Sequence, residues 1–328
     1  MDGPADDALP PVAPGMLRFY EALSALSPPE STAWPLPEQR RGWEEVCRAF
    51  QAPRPPGIAV EDLVVPGPGG AVPVRLYRPA AAGPLPGVLY GHGGGWVLGS
   101  LETHDDMCAE LADAAGVVVA AVDYRLAPEN RHPAQLDDML AVLAWLRAEG
   151  ARHGIDPGRI LGAGDSAGGQ LTAGAALVLR DRGLPAFVGQ VLIYPVLGGD
   201  TDTPSYRRNA HAPCLTLEEM DYFLQAFLGP PGAPAWTDPT ALPLLAADLA
   251  GLPPAFITVA GHDPLHDDGV RFHERLGAAG VPSRLRREPE LAHSYMRARH
   301  HSGPAMAGFR AIAEAVRVLA REGRLPPA

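Results

Sequence analysis

This 328-residue chain has no lysine; all 27 of its basic residues are arginine. A nucleotide-binding glycine loop needs a lysine followed by serine or threonine directly after its glycines. The one triple-glycine stretch, Gly93-Gly94-Gly95, therefore does not cradle phosphate in that way. Cysteine is scarce as well. Cys47, Cys108 and Cys214 are widely spaced and odd in number, which argues against a disulfide framework and for a reducing compartment. Long apolar runs are missing: the longest, near Val117 to Val122, is far too short to span a bilayer. The start, Met1-Asp2-Gly3-Pro4-Ala5-Asp6-Asp7, has neither a basic nor an apolar segment, so no signal peptide is read and a cytoplasmic location is expected. Acidic residues outnumber basic ones, 38 to 27, and the formal net charge of −11 disfavours nucleic acid or an anionic membrane surface as a partner.

What is present fits one α/β domain with insertions, long enough to bury a large core and without apparent internal repeats. Proline and glycine cluster at 53–56, 66–70 and 229–234, which read as loops. Two short stretches carry chemistry. Arg159 to Ala163 reads as a buried strand, and Gln170 to Leu179 as an Ala-rich helix. Between them, Gly164-Asp165-Ser166-Ala167-Gly168-Gly169 holds the G-x-S-x-G pattern of a serine on a strained strand-to-helix turn. Small residues flank the serine so that strand and helix approach closely, and the helix start favours negative charge beside it. Gly162-x-Gly164-x-x-Ala167 also fits the outline of a dinucleotide-binding loop. That reading needs an acidic residue roughly 20 positions on at the end of a second strand. Here that region is Arg180-Asp181-Arg182-Gly183, a helix end.

The second stretch is Gly91-His92-Gly93-Gly94-Gly95-Trp96, after the strand-like Pro86 to Tyr90. Three successive glycines are costly in backbone entropy and make sense where N–H groups turn inward toward a substrate. The N–H groups of Gly93, Gly94 and Ala167 are expected to converge on an oxyanion. His92 precedes that hole and is read as a loop-orienting residue rather than a base.

A serine hydroxyl needs a base. Among 11 histidines, the choice follows from strand ends, because active groups in an open α/β sheet sit there. Ala255 to Ala260 is the cleanest late strand, followed by Asp263, a helix over 270–279, a strand over 283–287, and then His293. Adjacent parallel strands would place Asp263 and His293 side by side, in the order Ser166, Asp263, His293. His293 would take the Ser166 proton and Asp263 would fix the imidazole. Asp267 and Asp268 are rival acids, but they fall where a helix starts. His262 and His266 lie beside the acid rather than across from it, and His300 and His301 are expected to be solvated.

Two helical stretches stand outside the strand–helix alternation. Near the N-terminus, Met16, Leu17, Tyr20 and Leu23 share one face, as do Trp43, Val46, Cys47 and Phe50. Further on, Thr216-x-x-Glu219 forms a capping box ahead of an apolar stripe of Met220, Phe223, Leu224, Phe227 and Leu228. These are either ordinary core packing or a lid over Ser166 that excludes water. Trp96 and Tyr194 are candidate pocket walls, equally placed to be core.

At this point the chain resembles the bacterial hormone-sensitive-lipase-like esterases, a branch of the α/β-hydrolase fold. The matching segments are His92 to Trp96, Tyr124-Arg125-Leu126-Ala127-Pro128-Glu129, Gly164 to Gly169, Ile193-Tyr194-Pro195, Asp263-Pro264-Leu265 and Asp267. The resemblance implies a mostly parallel sheet with helices on both faces and a helical cap. On that reading 1–50 and 200–240 form the cap, and 51–199 and 241–328 the core. It implies a serine carboxylesterase acting on short- to medium-chain esters, without metal or organic cofactor, and a possible homodimer. It maps nucleophile, acid and base onto Ser166, Asp263 and His293, and the oxyanion glycines onto Gly93 and Gly94. Asp165 and 124–129 are read as holding loops around the site. Two segments depart from the family pattern: Asp268 stands where glutamate is commoner, and Ser294-Tyr295 where Gly-Phe is, so Tyr295 is expected to alter pocket polarity. The same hole and base would also suit an amidase or a dehydratase or lyase. A non-catalytic small-molecule receptor on this scaffold would be expected to lack a triad member, and none is missing.

Overall fold

The apolar runs pair into one eight-stranded sheet in the computed structural model, which describes residues 9–327. The leaderless start read at residues 1–7 lies outside the described residues, as do the first residues of the 1–50 segment. Strands β1 (Ala59–Gly67) and β2 (Gly70–Arg78) form an antiparallel hairpin, and the Pro/Gly stretch at 66–70 is its turn. The others are β3 (Leu85–Gly91), β4 (Val118–Val122), β5 (Ile155–Asp165), β6 (Gln190–Ile193), β7 (Ala255–His262) and β8 (Ser283–Ala292). Their order is β1-β2-β4-β3-β5-β6-β7-β8. β2 is antiparallel to β4, and every neighbouring pair from β4 to β8 is parallel. β4 and β6 are buried along their whole length, as strands covered on both faces must be.

The helices are α1 (Pro14–Leu26), α2 (Leu36–Ala49), α3 (Asp105–Ala115), α4 (Ala134–Glu149), α5 (Ala167–Asp181), α6 (Pro204–Arg208), α7 (Leu217–Leu228), α8 (His266–Ala278) and α9 (Gly303–Glu322). Two apolar clusters flank the sheet. One gathers Leu136 of α4, Leu171 of α5 and Phe272 of α8. The other gathers Phe19 of α1, Leu111 of α3 and Ile312 of α9. The mostly parallel sheet with helices on both faces is therefore the observed architecture.

Several local expectations shift. On α1 the buried face is Met16, Phe19 and Tyr20, whereas Leu17 is 51% exposed. The helix expected at 270–279 starts at His266, which places Asp267 and Asp268 in its first turn. β8 runs on to Ala292, with a register irregularity opposite Ala260–His262. His300 is not simply solvated: it meets Glu110 at 2.7 Å. His301 rests edge-on against Phe50. The capping box forms as read, with Thr216 and Glu219 exchanging hydrogen bonds at the start of α7. No helix among the described residues is long and apolar enough to cross a membrane.

Candidate active site

The position of Ser166 follows from a backbone joint. β5 ends at Asp165, α5 begins at Ala167, and Ser166 between them has φ 53°, a left-handed conformation that a serine adopts only under constraint. Its N–H donates to Ile193 O at 2.8 Å. The joint is so close that a Cβ on Gly168 would run into the Gly91 carbonyl, and one on Gly164 into the backbone of Gly168. Only glycine allows β5, α5 and β3 to converge here.

β7 and β8 are parallel neighbours, and their C-terminal ends deliver Asp263 and His293 to Ser166. Ser166 Oγ lies 3.0 Å from His293 Nε2, and His293 Nδ1 lies 2.8 Å from Asp263 Oδ2. A carboxylate only accepts, so Nδ1 carries the proton and donates to Asp263, leaving Nε2 to accept from Ser166. Asp263 is fully buried, and its Oδ1 accepts the Leu265 N–H at 2.9 Å. The rival acids do other work. Asp268 accepts the Leu197 and Gly198 N–H groups, both at 2.8 Å, and Asp267 accepts the Ser205 N–H at 2.9 Å. Burial pushes the Asp268 carboxyl up to about 6.

The oxyanion loop differs from its expected form at one donor. The Gly93 N–H is already engaged by Asp165 Oδ1 at 3.0 Å and faces His104 Nε2 at 3.3 Å. Gly93 is therefore turned toward the core, and it is Gly94 and Gly95 that line the cavity beside Ser166. Their φ values, 120° and 59°, rotate this stretch of backbone. Neither N–H, nor that of Ala167, meets an acceptor among the described residues. His92 orients the loop as read. It donates Nδ1–H to Gly93 O at 2.9 Å and stacks on Tyr124 with centroids 4.1 Å apart, while Tyr124 donates to His92 O at 2.7 Å.

Beneath the loop lies a buried network around Asp165, the residue read as holding loops around the site; its other members, Tyr90, His104 and Arg297, the sequence did not announce. Asp165 accepts from Tyr90 Oη at 2.9 Å, from Gly93 N–H, and faces His104 at 3.2 Å. Arg297 lies against His104 and donates to Thr103 O, with its guanidinium 5.7 Å from the Trp43 ring centre. Burial, then the Arg297 charge, lowers the His104 pKa. Burial opposes charge on Asp165 too, but His104, Arg297 and Tyr90 hold its carboxyl well below the ordinary range.

The two pocket-wall expectations separate. Trp96 touches the cavity edge, but its ring is core: it stacks on Phe227 at 4.0 Å and its N–H donates to Gln170 at 2.9 Å. Tyr194 does not line the cavity. Its backbone, at φ 36°, turns the ring behind His293, where the centroids are 4.9 Å apart. Tyr295 likewise points into the core, donating to Thr258 Oγ1 at 3.0 Å, and Ser294 is the neighbour that reaches the cavity.

Residues 88–297 match a family model described as alpha/beta hydrolase fold. A carboxylesterase of Mycobacterium tuberculosis, NlhH, is 47% identical over 230 residues, covering 69% of this chain and 71% of that protein. The chain belongs to the hormone-sensitive-lipase-like esterases of the α/β-hydrolase fold. The esterase is also 39% identical over 265 residues to an ethyl acetate hydrolase of Pseudomonas putida, with 79% and 83% of the two chains covered. Among solved structures it is similar to the esterase of Pyrobaculum calidifontis, with a TM-score of 0.87 at 34% identity, over 95% of this chain and 99% of that one. The esterase is a carboxylic ester hydrolase of the serine type.

The cavity at Ser166 measures about 50 Å³. Its walls come from both segments outside the strand–helix alternation. Leu23, Gln39 and Trp43 enter from the N-terminal side, and Leu215, Met220 and Phe223 from the segment around α7. Among the described residues no group of three or more His, Cys, Asp or Glu is placed to hold a metal ion.

Proposed function

We propose that the esterase cleaves short- to medium-chain esters through an acyl-enzyme on Ser166. The observation that carries this is the unbroken chain Ser166 Oγ–His293–Asp263, with links of 3.0 and 2.8 Å. Oγ attacks the ester carbonyl as Nε2 takes its proton, and Asp263 stabilises the imidazolium. The carbonyl oxygen becomes an oxyanion, held by the N–H groups of Gly94, Gly95 and Ala167 and favoured by the start of α5. Each such donor is typically worth about 10²–10³ in rate. Collapse expels the alkoxide, which leaves as the alcohol with the proton from His293. Water, deprotonated by the same nitrogen, then attacks the acyl-enzyme and releases the acid, restoring Ser166.

The segments 9–50 and 200–240 act as a cap that keeps bulk water from this step. A water occupies about 10–15 Å³ on the same measure, so the space at Ser166 suits a short acyl chain. The three free thiols, Cys47, Cys108 and Cys214, support a reducing, cytoplasmic setting. The test is Ser166→Ala with p-nitrophenyl acetate and butyrate. Turnover is expected to fall by more than about 10³-fold with the circular dichroism spectrum unchanged. A well-folded variant that keeps near-wild-type activity would refute the assignment.

A further inference from the structure

The substrate cavity carries buried polar groups that hydrolysis does not use. Tyr20 of α1 and Trp43 of α2 are each nine-tenths buried, and the Tyr20 hydroxyl and Trp43 indole N–H have no partner among the described residues. A buried polar atom without a partner bears its full desolvation cost, which a bound group can relieve. Trp43 fronts the cavity at Ser166. Tyr20 fronts a second cavity of about 180 Å³ directly beside it, and Leu23, Ser27, Cys214 and Glu219 face both. Glu219 adds an acceptor. Its Oε2 takes the Thr216 N–H and hydroxyl at 2.7 and 2.8 Å, and its Oε1 has no partner among the described residues.

The second cavity lies toward the acid–base end of the triad. Its lining segment 211–214 is anchored by Asn209, which accepts the Ala212 N–H at 2.9 Å and donates from Nδ2 to Asp263 O at 2.9 Å, and Glu219 shares the cavity at Ser166 with His293. His293 is the group that must protonate the departing alkoxide, so the alcohol arm of an ester bound at Ser166 extends to this side. A phenol, an indole N–H and an open carboxyl oxygen together match a hydroxyl, which donates and accepts at once. An ammonium group can donate to the Tyr20 oxygen and to Glu219 but offers no acceptor to the Trp43 N–H. A carboxylate or phosphate would meet Glu219 and Asp263 in a chain of net charge −11. An alkyl arm would leave all three groups unpaired.

We propose that the alcohol arm reaches the junction of the two cavities and places a further hydroxyl there, among Tyr20, Trp43 and Glu219, which makes monoacyl esters of diols or polyols the preferred substrate class. The proposal rests on the ester-hydrolase reading of Ser166. It is tested by kcat/KM for 4-hydroxybutyl acetate against pentyl acetate, whose alcohol arms have the same number of heavy atoms. The wild-type enzyme is expected to favour the hydroxylated ester. Tyr20→Phe is expected to lower that ratio about three- to tenfold, the span of one neutral hydrogen bond. Glu219→Gln puts an amide donor where the open acceptor stands, and is expected to lower it too. A wild-type ratio below one, or a ratio that neither variant moves, overturns the proposal. So does a Tyr20-dependent preference for a hydroxyl on the acyl arm instead. Failure of the underlying reading looks different: the wild-type enzyme would leave ethyl acetate intact, or Ser166→Ala would cleave it at the wild-type rate.

Discussion

A single imidazole shows how the site links folding to proton binding. His92 donates from Nδ1 to Gly93 O and is buried, while its Nε2 has no partner among the described residues. A proton on Nε2 would be a buried charge without an acceptor. Burial, then the neighbouring His104, brings its pKa down from 6.5 to about 3. Unfolded, the side chain binds a proton near its ordinary value; folded, it does not until far lower pH. The unfolded chain therefore holds more protons throughout this window, and stability falls as pH drops through it. Between about pH 7.5 and pH 5, His92 alone should remove about 2 kcal/mol. His92→Asn keeps a donor for Gly93 O and removes the titration. Its urea midpoint should shift clearly less between those two pH values than that of the wild type, and equal shifts would refute the argument.

The joint between β3 and α5 shows what glycine spacing reveals and what it hides. The atoms nearest a Cβ on Gly168 are backbone, the Gly91 carbonyl and His92 O, so no rotamer change relieves the clash. Gly168→Ala must separate strand from helix. It is expected to cost about 3 kcal/mol, the upper end of ordinary overpacking, read as a fall in the denaturant midpoint. A midpoint within error of wild type would mean that the joint is looser than drawn. This element was legible in the sequence because tight turns demand small residues at fixed offsets. Which of the three glycines line the cavity at Ser166 was not legible. That choice is made by Asp165, 72 positions away, which engages Gly93 and leaves Gly94 and Gly95 at the cavity. The displacement of Tyr194 has the same character, since the ring it packs behind belongs to His293. Local pattern locates a loop, whereas the direction of each group within it is settled by residues remote in sequence.

At the scale of the whole molecule, the sequence marked the two segments proposed as a cap by their amphipathic stripes but not by how they are fastened. The stripes of α2 and α7 were visible because burial on one face imposes a helical period. Arg297 and His104 were invisible, because a contact across 193 positions leaves no periodic trace. Arg40 is a fastening of this kind. From α2 it donates to Val97 O at 3.0 Å and Ala127 O at 3.2 Å, and pairs with both Glu129 oxygens at 2.8 Å. It thus ties the helix that carries Gln39 and Trp43 to the segment just after Gly93–Gly95. Arg40 and Glu129 are partly exposed, with side-chain accessibilities of 28% and 49%, so solvent screening limits the pair to about 1 kcal/mol. Cutting the tie with Arg40→Ala leaves Ser166, His293 and Asp263 untouched and lets α2 lift. Binding should suffer rather than chemistry: KM for a short ester should rise about fivefold while kcat stays within about twofold. Amide exchange across 36–49 should quicken at the same time. If KM and exchange both stay at wild-type values, α2 is held by its apolar face alone, and Arg40 is a surface contact with no part in closing the site.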